Sequence, residues 1–278
     1  MPQVVVQPDL TMHYEDDCFV APWQQPDVAL LIHGVAESSQ AWFAWLPDLT
    51  REFRVIRPDL RGFGRSTVPP AGYPWSAQGF ATDLARFLDA LAVPAAHIVG
   101  AKLGGSIALQ FAADYPERTR TLTVLSGPVK RQPGSATDRR IPEKIGAKGL
   151  RGWVEETQRE RLGSQAPAEQ IAWWTDFMAS ADVGVCIGVT TMAGSLDIAD
   201  ALPRIKAPTL VFTSEGSSLQ SVTAAREHQE TIPNSELLVL PGDSYHVAAS
   251  APDACVRAVL DFIGSRSGQP PGPSFGPR

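Results

Sequence analysis

With 278 residues, 44% hydrophobic and 19% charged, the chain is long enough for one large core, or for one core carrying an insert. A net charge of −6 excludes the broad basic surface through which nucleic acids and anionic membranes are bound. Cys18, Cys186 and Cys255 are odd in number, widely spaced and without a C-x-x-C pair, which argues against a disulfide framework or a thiol metal site. No charged-then-apolar leader opens the chain, and no run approaches the roughly 18 apolar residues of a membrane span. The expectation is a soluble, cytoplasmic protein with no nucleic-acid or membrane partner and no thiol metal site.

In chain order, apolar runs at 28–34, 53–60, 97–101, 121–127, 209–215 and 236–242 read as strands covered on both faces. Between them, Phe80, Leu84, Phe87, Leu88 and Leu91 recur at helical spacing, and the stretches 106–116 and 252–264 behave likewise. Strand and helix in alternation predict an α/β protein with a mostly parallel sheet and flanking helices. From 131 to 201 the rhythm breaks: no strand is evident, and Trp153, Trp173 and Trp174 sit among charged helical stretches and prolines. The expected organisation is a core in two parts, 1–130 and 202–265, a helical cap at 131–201, and a tail at 266–278 too rich in Gly, Pro and Ser to order itself.

One stretch carries the chemistry. In "HIVGAKLGGSIALQFA", residues 97–112, a buried strand passes through a glycine-flanked turn into a helix. Such a frame ordinarily lifts a serine to the apex of the turn; here the apex is Lys102. Three further segments complete a pattern: "LLIHGVAESSQAWFAWLPDL", "RPDLRGFGRS" and "LPGDSYHVAASAPDACVRAVLDFI". Taken in order, the four segments resemble the α/β-hydrolase family, and the insert with "DIADALPRIKAPTLVF" resembles its branch of 3-oxoadipate enol-lactonases and small esterases.

The resemblance implies an α/β-hydrolase fold with a helical cap, and a nucleophile elbow whose backbone is strained at Lys102. It implies an oxyanion hole made by the N–H groups of Val35 and Leu103, with Ala36 beside them, and a general base at His246. The third triad member does not match. The usual acid position after the strand 209–215 holds Ser217, and the alternative position offers Ser126 and Gly127. Glu215 and Asp243 lie near in sequence as possible acids. Asp59, Arg61 and Arg65 read as scaffold, His33 as a local hydrogen-bonding residue, and His13, His97 and His228 as packing or surface residues. Ser106 lies one turn into the helix, pointing away from the apex. Trp153, Trp173 and Trp174 are expected in the cap core or lining the pocket.

Without a hydroxyl at the elbow, acyl-serine chemistry is closed. A lysine acting as a neutral amine near pH 7 needs its pKa to fall from about 10.4, at a cost of about 4 kcal/mol; burial and the positive end of the following helix both push that way. Three uses follow. On a small-molecule substrate, with no metal or organic cofactor, a neutral Lys102 serves as a Schiff-base nucleophile toward a ketone or aldehyde, or as a proton-transfer group with His246 in a lyase, isomerase or cyclase. A charged Lys102 holds a substrate carboxylate while His246 activates water for direct hydrolysis of an ester, lactone or amide. The bland readings are a catalytically inactive ligand-binding homologue and a structural ion pair between Lys102 and Glu215.

Overall fold

The computed structural model describes residues 2–130 and 140–267. Eight strands form one sheet: β1 (Gln3–Gln7), β2 (Leu10–Asp17), β3 (Val28–Ile32), β4 (Arg54–Pro58), β5 (Ala96–Ala101), β6 (Thr119–Leu125), β7 (Thr209–Ser214) and β8 (Ser235–Leu240). Their order across the sheet is β1-β2-β4-β3-β5-β6-β7-β8. β1 and β2 are antiparallel to their neighbours, and every pairing from β4 through β8 is parallel. The helices are α1 (Leu46–Leu49), α2 (Ala77–Ala90), α3 (Leu103–Asp114), α4 (Ile141–Leu162), α5 (Ala168–Ala179), α6 (Val183–Ala193), α7 (Val222–Thr231), α8 (Val247–Ser250) and α9 (Pro252–Ser267).

The six expected strands are β3 to β8, shifted by at most two residues at their ends. Central strands such as β5 and β7 are buried at every position, which is why they read as unbroken apolar runs. β1 and β2 were not expected. They form an edge hairpin most of whose side chains are only partly covered, so no long apolar run marks them. α2 places Phe80, Leu84, Phe87 and Leu88 on its buried face, as their spacing predicts.

Between β6 and β7 the chain leaves the sheet for α4, α5 and α6. The expected boundary at 131 falls outside the described residues, as does the tail beyond 267; α9 continues through Ser267, past the position 266 where the tail was placed. Among the described residues no single helix is long and apolar enough to cross a membrane.

The scaffold turn after β4 is tied together by acids. Asp59 accepts from the Ser39 and Arg65 N–H groups at 2.7 and 2.9 Å and lies 2.9 Å from His13 Nδ1. Arg61, fully buried, is held bidentately by Asp83 at 2.8 and 2.9 Å and by Asp9 at 3.0 Å. These contacts fix the loop beneath the carboxyl ends of β3 and β5, where the site lies.

Candidate active site

Lys102 sits at the summit of the turn between β5 and α3, with φ 55° and ψ −121°. That left-handed, strained conformation in a residue with a Cβ is sustained by close packing around it. A Cβ on Gly104 would lie 2.1 Å from the Ile32 carbonyl oxygen, so α3 starts in direct backbone contact with β3 and only glycine fits. The turn is pinned from below by the Lys102 N–H donating to the Leu125 carbonyl at 2.9 Å. Ser106 points away, its hydroxyl donating to the Pro128 carbonyl at 2.5 Å.

The lysine is 6% exposed, and its Nζ donates to Glu37 Oε1 within an ion pair. Glu37 is wholly buried at its side chain. Its other oxygen, Oε2, accepts the Gly34 N–H at 2.9 Å, closing the loop after β3 onto its own carboxylate. A Cβ on Gly34 would approach Lys102 Cε to 2.8 Å, so the loop and the lysine stem are packed at backbone distance. On the far side, His246 Nε2 lies 3.2 Å from the same Glu37 Oε1. Lys102 and His246 therefore meet through Glu37 rather than across open space.

His246 is placed by backbone. Its N–H donates to the Arg161 carbonyl at 2.9 Å, and the Ser244 hydroxyl donates to that carbonyl at 2.6 Å. The Trp174 ring packs edge-on against the imidazole at 5.0 Å. Among the described residues His246 Nδ1 has no hydrogen-bond partner, although that is the nitrogen a triad acid would hold.

Charge follows from burial and neighbours. Burial pushes the Lys102 amine below the ordinary lysine range; Glu37 resists the shift, and the nearby Arg161 cation adds to it. Burial works to raise the Glu37 carboxyl, yet the Lys102 cation and His246 together hold it far below the usual carboxylate range. His246 is lowered to about 4, first by burial and then by the Lys102 charge, so it is neutral at pH 7. The resting site is an ammonium–carboxylate pair backed by a neutral imidazole.

A cavity of about 80 Å³ opens on Lys102, Val35 and Leu103 from the side of α4 to α6, with Trp153, Arg161 and Tyr245 among its walls. Of the ionic trio only Lys102 lines it; Glu37 and His246 stand behind the lysine. The N–H groups of Val35 and Leu103 meet no acceptor among the described residues, and Leu103 is the first residue of α3, whose leading N–H groups lack intrahelical partners. Ala36, buried with φ 59°, holds the bend after Val35.

The candidate acids do not reach this place. Glu215 and Asp243 are exposed: Glu215 extends the β7–β8 ladder through its N–H to the Leu240 carbonyl, and Asp243 accepts from the Ser164 N–H at 2.9 Å. The proposed Lys102–Glu215 ion pair is thus replaced by Lys102–Glu37. Ser217 is buried and accepts from the Gln220 N–H at 3.3 Å. Trp153 lines the cavity and Trp174 covers His246, but Trp173 is 43% exposed and packs on Phe43 and Phe177 instead. His33 bonds locally, its Nδ1 donating to the Gly34 carbonyl at 2.8 Å and its Nε2 accepting the Leu60 N–H at 3.0 Å.

Glu37 is the residue that sequence reasoning missed. It is the lone acid between Val28 and Leu46, in the loop facing the elbow. A buried lysine demands an anion, a need that was assigned to Glu215 and that could have found this position had it been followed into the loop facing the elbow.

A family model described as "alpha/beta hydrolase fold" matches residues 28–177. A protein of Variovorax paradoxus named "Putative carbamate hydrolase RutD" is 32% identical over 91% of this chain and 96% of its own length. Its namesake from Caulobacter is 27% identical over 87% and 92%. Among solved structures, the enol-lactonase from Burkholderia xenovorans superposes with a TM-score of 0.85, covering 94% of this chain and 99% of that one at 18% identity.

Proposed function

Because the chain belongs to the α/β-hydrolase fold family, we propose that it is a hydrolase of a small carbonyl compound of the carbamate or lactone class, working through Lys102 in place of a serine. The relatives named for carbamate hydrolysis support the substrate class. The observation that carries the mechanism is that Lys102 is the one member of the ionic trio on the cavity wall, beside two unengaged backbone N–H donors.

An acyl-lysine would be a stable amide and would end turnover, so the amine acts on water. In its neutral form Nζ takes a proton from a water molecule as the water oxygen attacks the carbonyl carbon. The tetrahedral oxyanion is held by the N–H groups of Leu103 and Val35. Collapse expels the leaving oxygen or nitrogen, which takes the proton back from the Lys102 ammonium, restoring the amine. Glu37 steadies the ammonium between these two transfers, and His246, neutral at pH 7, adds no competing positive charge. In this reading α4 to α6 act as the cap that excludes bulk water.

The test is a panel of small lactones, carbamates and p-nitrophenyl acetate, assayed across pH with Lys102→Met and Lys102→Arg. Both variants are expected to lose about 10²–10⁴-fold in kcat, because an arginine keeps the charge but cannot give up a proton. Activity of the native chain should climb with pH above 7 as the amine deprotonates. Turnover untouched by Lys102→Met, or a profile rising near pH 4 and flat above it, overturns the mechanism. The completeness of the resting Lys102–Glu37 pair favours one second reading, a ligand-binding protein without turnover. It predicts binding, no product, and no change in binding on Lys102→Ala.

A further inference from the structure

A second cation faces the same cavity and the hydrolytic steps above do not use it. Arg161, in the last turn of α4, is 3% exposed and lies on the cavity wall. Its guanidinium stacks over the Trp153 ring at 4.5 Å. Nη1 donates to the Thr157 hydroxyl and reaches Gln158 Oε1 at 3.3 Å and the Val154 carbonyl at 3.4 Å. All of these partners are neutral. Among the described residues no carboxylate lies within ion-pair distance of Arg161; Glu160, next in sequence, is exposed, and Glu37 is committed to Lys102 and His246. The charges around the cavity are thus two cations, Lys102 and Arg161, and one anion, Glu37, with a neutral imidazole.

A buried guanidinium without a counter-ion is costly, and one clamped by a ring and a fan of acceptors cannot swing out to water. The same clamp pre-orders a planar fork suited to a carboxylate. We propose that Arg161 is the anchor for a carboxylate on the substrate, so that the compound bound here is a small acid whose reacting carbonyl lies toward Lys102. This rests on the hydrolytic reading for the word substrate, but not for the binding itself. The helix also supplies the geometric link: the Arg161 carbonyl holds the His246 N–H while its side chain faces the ligand space.

The test is calorimetric titration of the full chain at pH 7 and low salt with propionate and with its neutral counterpart propionamide, on the native protein, Arg161→Lys and Arg161→Gln. The native chain should bind propionate at least tenfold more tightly than propionamide. Arg161→Lys should keep the preference in weakened form, and Arg161→Gln should abolish it. Equal binding of the two probes by the native chain overturns the proposal without any variant, and so does a preference that survives in folded Arg161→Gln. Binding is read here without turnover. A chain that prefers propionate yet hydrolyses nothing sinks the hydrolytic reading alone, whereas brisk hydrolysis of neutral acyl compounds with no carboxylate preference sinks this one alone.

Discussion

Replacing Glu37 by glutamine is the sharpest perturbation of the ionic trio. The substitution keeps size and the Gly34 N–H acceptor but removes the anion from a site where Glu37 and Lys102 are almost entirely buried. Breaking a buried pair by deleting one charge costs about 3–5 kcal/mol, because the survivor stays uncompensated. At about 2–4 °C per kcal/mol for a chain of this size, the melting temperature at pH 7 should drop by roughly 6–20 °C. The pH dependence has a definite sign. Without Glu37 the Lys102 pKa falls further below its unfolded value, so the unfolded chain binds more protons and stability rises with pH; the deficit of Glu37→Gln should therefore shrink between pH 7 and about 10. Lys102→Met restores charge balance in that background. Urea denaturation of the two single variants and the double variant closes the cycle, and the double should be more stable than the sum of the singles by about 2 kcal/mol or more. A cost for Glu37→Gln under about 1 kcal/mol, or additive singles, would refute the buried pair.

The imidazole and the elbow make their own predictions. His246 titrates near 4 in the folded chain against 6.5 unfolded, so its contribution is intact above 6.5 and is lost as pH falls toward 4. That loss amounts to roughly 3 kcal/mol, and His246→Gln should flatten this part of a pH-dependent denaturation curve; an unchanged curve would place the proton uptake elsewhere. Gly104→Ala drives a Cβ to within 2.1 Å of the Ile32 carbonyl. It should cost about 3 kcal/mol in urea denaturation, since neither backbone can yield, and a cost within experimental error would mean that α3 and β3 are not in contact.

How far the sequence could be read follows from what each feature needs. The parallel strands were legible because burial on both faces leaves apolar runs, and the elbow because Gly100 and Gly104 are sterically obligatory wherever a helix begins against a strand. The edge hairpin β1–β2 was not, since most of its side chains are only partly covered and β2 pairs with β4, some forty residues away. Glu37 was missed for a different reason. The family pattern places an acid after β7 to hold an imidazolium, and that pattern drew attention to Glu215, Ser217 and Asp243. With a lysine at position 102 the physical need is a different one: a serine there would ask for a base and an acid behind it, whereas a lysine asks first for an anion within reach of Nζ. Nζ stands several bonds farther from the backbone than a serine hydroxyl, so its partner must come from the opposing loop, and the loop after β3 is the one packed against the lysine stem. In this chain the negative charge beside the imidazole therefore lies on its Nε2 side, at Glu37 and next to the cation, while Nδ1, the nitrogen a triad acid would hold, meets no partner among the described residues.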